Sequence, residues 1–487
     1  MQSLTTNIAN FNRSQARGLS GCFIAWSFVA IAGLWVSSFY GLEVLWVVTA
    51  IIAMALAWKF HYRAFLLLVP LLFLEHDVFS LELPFGRLRA YHLLIALLAA
   101  RLVFDFLKGT LKWRRTALDL PFLIFLGINA VAIIWSPDQA VALKIFGLEC
   151  LLALLYWVVV NYVRSAEQVQ QILRWFLGSA AVVALIGILQ IIAVWLASAF
   201  DVALWQGPII HSDILPFGRP YGTFVEPDWY GALAMVALLV SVAFVLSKKY
   251  AQQQLKYLGL AVLFAVALIL SVVRGAWLGA GIGLVVLLII NRRRQLLNAR
   301  LLLPVSIGLV LGMVGFAIFS PEVVGAVVSR LFSLGSLQTI INEPRFLVVQ
   351  EGLGIWLSSP LSIWLGQGPG TFNVLGSIPF VPPIQQIVQG LVPFQTNAVV
   401  NILLDTGLAG LIVIFWIILR LVNTVRAGLR NLSDDLVVTL MGLTAALAGL
   451  VITYQVTTGM WLALSWFVLG LTIACALIPK NKYNYAT

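Results

Sequence analysis

The residues best suited to chemistry lie in Gly218 to Gly231, GRPYGTFVEPDWYG, which brings Arg219, Glu226 and Asp228 together among aromatic rings and glycines. In a chain that is 61% hydrophobic and only 10% charged, such a cluster beside apolar sequence carries a solvation cost and marks a candidate site. Arg274, in SVVRGAW between two further apolar runs, supplies a second part; Gly275 beside it leaves the backbone open to a close ligand. Guanidinium groups stay charged at physiological pH and grip phosphate oxygens in pairs, so arginines gathered without a metal motif suit an anionic, diphosphate-like ligand. The carboxylates have a simpler use as well. Pro227 can start a helix, Glu226 and Asp228 favour its positive end, and Arg219 can pair with either acid. For Arg274 the simpler use is that of a snorkelling arginine at a helix end.

Further candidates for substrate binding are Arg345 in NEPRFLVVQ, Arg87 and Arg89 in PFGRLRA, His211 and Asn397. Arg345 could equally meet lipid phosphate, and Arg87 and Arg89 could anchor the start of the next apolar segment. Four histidines are too few and too scattered for a metal cluster, and no metal or other cofactor is expected. No HExxH, GxSxG or Walker sequence occurs, which leaves zinc hydrolysis, serine hydrolysis and nucleotide-driven pumping without support. Cys22, Cys150 and Cys475 are far apart inside apolar runs and suit packing.

These residues must be positioned by membrane helices. Over 487 residues the mean hydropathy is +1.00, and apolar runs near the length of a bilayer crossing recur from end to end. The fold class expected is an all-α polytopic membrane protein with about 12–14 transmembrane helices and a large extracytoplasmic loop containing short helices. Residues 1–18 form a cytoplasmic tail; 19–319 hold membrane helices with a periplasmic loop at about 198–225; 320–395 form the large outer loop; 396–479 hold the last helices; 480–487 end in the cytoplasm. The formal charge of +11 comes from short basic clusters between apolar runs, which encode orientation and do not point to nucleic acid. With those clusters inside, both termini are cytoplasmic, and Arg87, Arg89, Arg219, Arg274 and Arg345 fall outside, where topology does not ask for them. In the large loop, EPRFLVVQEGLGIWLSSP has Phe346, Val349, Leu353 and Trp356 at helical spacing, predicting a surface helix, and GQGPGTF turns the chain back.

Four motifs in order, RPYGTFVEPDWYG, VVRGAWLG, PRFLVVQEGLGIWLSSPLSIWLGQGPGTF and TNAVVNILLDTGLAGL, resemble the O-antigen ligase and polymerase superfamily of bacterial inner-membrane glycosyltransferases. The resemblance spans Arg219 to Leu411. It implies metal-independent transfer of a glycan from a polyprenyl diphosphate carrier to an acceptor on the outer face of the cytoplasmic membrane. That acceptor is a lipid A core sugar in ligases and another carrier-linked glycan in polymerases. Carried over by motif, Arg219 and Arg274 would hold the diphosphate and stabilise charge on the departing carrier, with Arg345 in the outer-loop helix beside them. The chain departs from the family where ligases often carry a histidine before asparagine. Here Thr396 precedes Asn397, and Asp405 stands in place of a glutamate. His211, Glu226 or Asp228 could then act as the base.

A second class remains open from the residues alone. Outer arginines and helix breaks can also line the path of a small anion such as bicarbonate, making the chain a transporter, and a flippase or a structural partner of an envelope complex is a third possibility.

Overall fold

A computed structural model of the chain describes residues 53–76, 80–83, 86–200, 218–294, 296, 344–379, 392–457 and 459–479. His211, Cys22, the apolar runs at 19–38 and 300–319 and most of the one at 43–58 lie outside the described residues, as do both predicted tails. The chain divides into two units, 1–65 and 66–487; the described part of the first is mostly helical.

The second unit is built almost wholly of helices, as its composition requires. After helix α1 (His61–Leu71), a short antiparallel hairpin of β1 (Ser80–Leu83) and β2 (Gly86–Arg89) leads into α2 (Ala90–Leu107). There follow α3 (Asp119–Ala132), α4 (Gln139–Tyr162), α5 (Ala166–Phe200), α6 (Pro227–Leu246), α7 (Gln254–Ser271) and α8 (Arg274–Arg294). Three short helices then occupy the described part of the large loop: α9 (Pro344–Trp356), α10 (Pro360–Leu365) and α11 (Thr371–Leu375). The chain closes with α12 (Ala398–Asn431), α13 (Asp434–Thr453) and α14 (Ala463–Ala476). Eight of the described helices are long and apolar enough to cross a membrane. The protein is therefore an all-α polytopic membrane protein, as composition predicted.

Helix α6 is central. It is apolar on every side, and 89% of its membrane-length window is buried, as expected of a helix enclosed by others. It packs against α7, α8 and α13, while α4 packs against α2 and α14 and α12 against α3 and α14. Small residues let these axes approach closely. A methyl group at Gly279 of α8 would run into Thr453 and the Gly449 carbonyl of α13, and one at Gly283 into Leu239 of α6.

Helix directions define two ends. Ala398 N–H donates to Tyr454 O at 2.8 Å, and Thr453 Oγ1 to Gly275 O at 3.2 Å, so the starts of α8 and α12 meet the end of α13. The start of α6 and the end of α7 join them through Arg219 and Asp228. At the other end, about 30 Å away along α6 at 1.5 Å per residue, Lys249 pairs with Asp435 at 2.8 Å.

The large loop departs from the simple cap that its length suggests. Its glycine segment docks into a break in α12. At Gly407 the backbone takes φ 62° and ψ −160°, conformational space that only glycine occupies without strain, and a Cβ there would meet the backbone of Trp364 to Gly366. Into this break come Gln367 N–H, donating to Leu404 O at 2.7 Å, and Gly368 N–H, donating to Asp405 O at 3.0 Å. Asp405 itself is buried; its carboxylate accepts Gly370 N–H at 3.1 Å and the Asn401 amide at 3.0 Å. GQGPGTF thus does more than reverse the chain: it replaces the backbone partners that the broken helix lacks.

Helix α9 forms as predicted, but its face is turned. Val348 and Gly352 are buried against Phe372, Val400 and Leu404, with Val349, Leu353 and Trp356 at the margin, whereas Phe346 is 42% exposed. Counting from Phe346 placed the stripe about a quarter of a turn away, because Gly352, whose missing Cβ admits Gln395 and Val400, does not register as part of an apolar face.

Candidate functional site

Helix α6 opens as its sequence dictates, with Glu226 at the N-cap, Pro227 at the first position and Asp228 in the first turn. The Glu226 side chain makes no capping hydrogen bond. Asp228 is held between two arginines from distant parts of the chain. Its Oδ1 accepts Arg219 Nη2 at 2.8 Å and its Oδ2 accepts Arg345 Nη2 at 2.7 Å. Each guanidinium is fixed a second time by backbone. Arg219 Nε donates to Ser271 O at 2.8 Å, and Arg345 Nη1 donates to Val456 O at 2.6 Å.

Arg274 belongs to the same neighbourhood. Helix α7 ends with Val272 in the left-handed conformation (φ 52°), and α8 begins at Arg274, three residues after the carbonyl that takes Arg219. Gly275 packs on Val456 and Thr457, the stretch whose carbonyl takes Arg345. Arg219, Arg345 and Asp228 are therefore joined directly, and Arg274 stands at the helix start beside them. Two guanidiniums share one carboxylate at the positive end of a helix, so the cluster keeps net positive charge with Arg345 its most open member, 35% exposed. Such donors bind oxyanions and do not coordinate cations. Among the described residues no group of three or more His, Cys, Asp or Glu could hold a metal ion.

Arg89, Arg87 and Asn397 each make contacts away from Asp228. Arg89 is the N-cap of α2, and its Nε reaches the Glu75 carboxylate at 3.0 Å, a structural anchor. Arg87 lies in β2, paired in register with Glu82. Asn397 caps α12 through Val400 N–H at 3.0 Å and donates to Gln455 O at 2.9 Å, tying α12 to the segment that takes Arg345. Thr396 is buried with its hydroxyl unpartnered among the described residues.

Two features went unread in the sequence. Glu75, 2% exposed, accepts the Tyr91 hydroxyl at 2.8 Å, and its own N–H donates to Thr223 O at 3.1 Å, so the hairpin braces the loop that carries Arg219. His76 stacks on Tyr221 of that loop at 5.5 Å. The spacing in LEHDV gave no periodic signal for this contact. The second feature is an apolar cavity of about 630 Å³ between α3, α12, α13 and α14. Phe122, Ile402 and Phe415 line its walls, and Tyr454 and Gln455 lie at the end nearest Val456.

Residues 259–415 match the family model described as O-antigen ligase (Wzy_C). The matched span holds Arg274, Arg345, Asn397 and Asp405 and leaves Arg219 and Asp228 before it. No curated protein matches the chain.

Proposed function

We propose that this chain, a member of the O-antigen ligase and polymerase superfamily of membrane glycan-transferring enzymes, moves a glycan from a polyprenyl diphosphate carrier to an acceptor hydroxyl at the outer face of the bacterial cytoplasmic membrane. The observation that carries this reading is the pair of guanidiniums on Asp228, set near the Tyr454 and Gln455 end of an apolar cavity of about 630 Å³. A lipid-linked diphosphate has that shape and charge. Its tail would lie along Phe122, Ile402 and Phe415 and its phosphates beside Arg345, Arg219 and Arg274.

In the reaction the acceptor hydroxyl attacks the anomeric carbon. The bond from that carbon to the carrier phosphate oxygen breaks, and the diphosphate leaves with the electron pair. The arginines stabilise the charge that grows on that oxygen, and a fixed array acts without reorganising. Asp228 holds Arg219 and Arg345 at hydrogen-bond distance through both of its oxygens, which makes it a positioning residue. Glu226, at the N-cap two residues before Asp228, is the residue we assign to remove the acceptor proton. The positively charged end of α6, with its arginines, faces the periplasm, and both chain termini lie in the cytoplasm.

Glycan profiles of cells carrying single substitutions test the assignment. Arg219→Ala and Arg345→Ala, with the protein still in the membrane, are expected to lose attached or extended glycan. Wild-type profiles in both would overturn it.

A further inference from the structure

The end of the bundle opposite the arginine site carries a second cavity, of about 790 Å³, formed by the last turns of α12, the exit of α14 and Ala117 before α3. One face of α12 supplies its polar wall. Arg420, Asn423, Ala427 and Arg430 follow one another at helical spacing, and Asn431 completes the rim. Among the described residues no carboxylate lines the cavity. Neither Arg420 nor Arg430 has a hydrogen bond or ion pair from its side chain among the described residues, although Arg420 rests 5.9 Å from the Trp416 ring centroid. Of the two acids that open α13, Asp435 is paired with Lys249, and neither Asp434 nor Asp435 lines the cavity.

The other wall is apolar: Leu477, Ile478 and Ala476. Next to Arg420 and Asn423 along the helix, α12 exposes Leu419 (46%) and Val422 (37%). Cationic donors at the rim and an exposed apolar strip continuing from them match a molecule with an anionic head and hydrocarbon chains. A free anion would use the first feature only.

We propose that this cavity binds the phosphate headgroup of an anionic phospholipid, with Arg420 and Arg430 on the phosphate and the acyl chains along Leu419 and Val422. The site is separate from the proposed transfer chemistry and does not depend on it.

Native mass spectrometry of the full chain, released from detergent with equimolar phosphatidylglycerol and phosphatidylcholine, tests the proposal. The wild type is expected to retain phosphatidylglycerol preferentially. Arg420→Gln with Arg430→Gln is expected to lower that retention about thirtyfold, at roughly 1 kcal/mol for each basic residue near the surface. Lys256→Ala removes a positive charge from the same end without touching the cavity and is expected to change nothing. Thermal unfolding of the double variant at the wild-type temperature shows that folding is intact; if it does not match, Asn423→Leu provides a milder change with the same expected direction. Equal loss in the Lys256 variant would mean adsorption by general charge and would overturn the site. So would unchanged retention in the double variant, or full displacement of the lipid by millimolar inorganic phosphate, which would make the ligand a soluble anion.

Discussion

Asp228 decides how the proposed chemistry is arranged, because both its oxygens are engaged by guanidiniums that are themselves tied to backbone carbonyls. Arg219 uses Nε and Nη2 on two different partners, which a lysine cannot reproduce with one nitrogen. Arg219→Lys is therefore expected to cut transfer by about 10²–10³-fold, as loss of an oriented oxyanion donor does, with protein levels unchanged in membranes. Activity within a few fold of wild type would show that charge alone is enough there. Glu75 offers a pH test outside the spanning helices. Burial raises its carboxyl above the usual range, against the downward pull of Arg89 and the Tyr91 hydroxyl. The native state then holds the proton more tightly than the unfolded chain. Its stabilisation is complete below the unfolded carboxylate range near pH 4 and is lost as pH rises through the native value. Glu75→Gln should flatten that decline in a thermal-unfolding series against pH; parallel slopes would remove Glu75 as its source. At this scale Arg219 with Asp228 was legible, since nine positions in one glycine-containing stretch can fold back on themselves. Arg345 with Asp228 spans 117 positions, and no local pattern announces a contact made by tertiary packing.

Among the elements, the break in α12 and the glycine loop that fills it hold α9, and with it Arg345, in place. Gln367 bonds to Leu404 on one side and to Ile355, at the end of α9, on the other. Gly407→Ala would put a side chain at φ 62° and drive its Cβ into the Trp364 to Gly366 backbone. The cost expected is about 1–3 kcal/mol for the strained conformation, with a clash in addition, and the large loop should become open to limited proteolysis before the bundle unfolds. A protease pattern like that of the wild type would separate the loop from the break. Glu149 in α4 is 1% exposed with neither oxygen partnered among the described residues. Glu149→Met should hold or raise thermal stability by about 1–3 kcal/mol, because a buried polar group without a partner is replaced by an apolar one of similar length. A large loss would show that the carboxyl has a partner to serve. Hydropathy disclosed the helices here, with Arg274 marking the break between α7 and α8. It did not disclose the break, since DTG inside a long apolar run looks like uninterrupted helix until its backbone partners are known.

For the molecule as a whole, composition alone gave the class, because a chain this apolar has no other way to satisfy its backbone than in membrane helices. The segregation of charge into two ends was legible in outline from basic clusters, and the structure places Arg219, Arg274 and Arg345 together at the end away from Lys249, Arg420 and Arg430. What remained hidden was the apolar cavity between α3, α12, α13 and α14, which depends on how four helices meet and not on any one of them. The central claim joins that cavity to the arginine cluster in one ligand. Its most direct test is equilibrium binding of undecaprenyl diphosphate, without a glycan, to the purified full chain in detergent with EDTA present. Saturable binding is expected, weakening about 10- to 100-fold in Arg219→Ala and in Arg345→Ala, the loss that follows from one charge-assisted contact to phosphate. Equal affinity in wild type and both variants, or binding that appears only when a divalent cation is added, would contradict it.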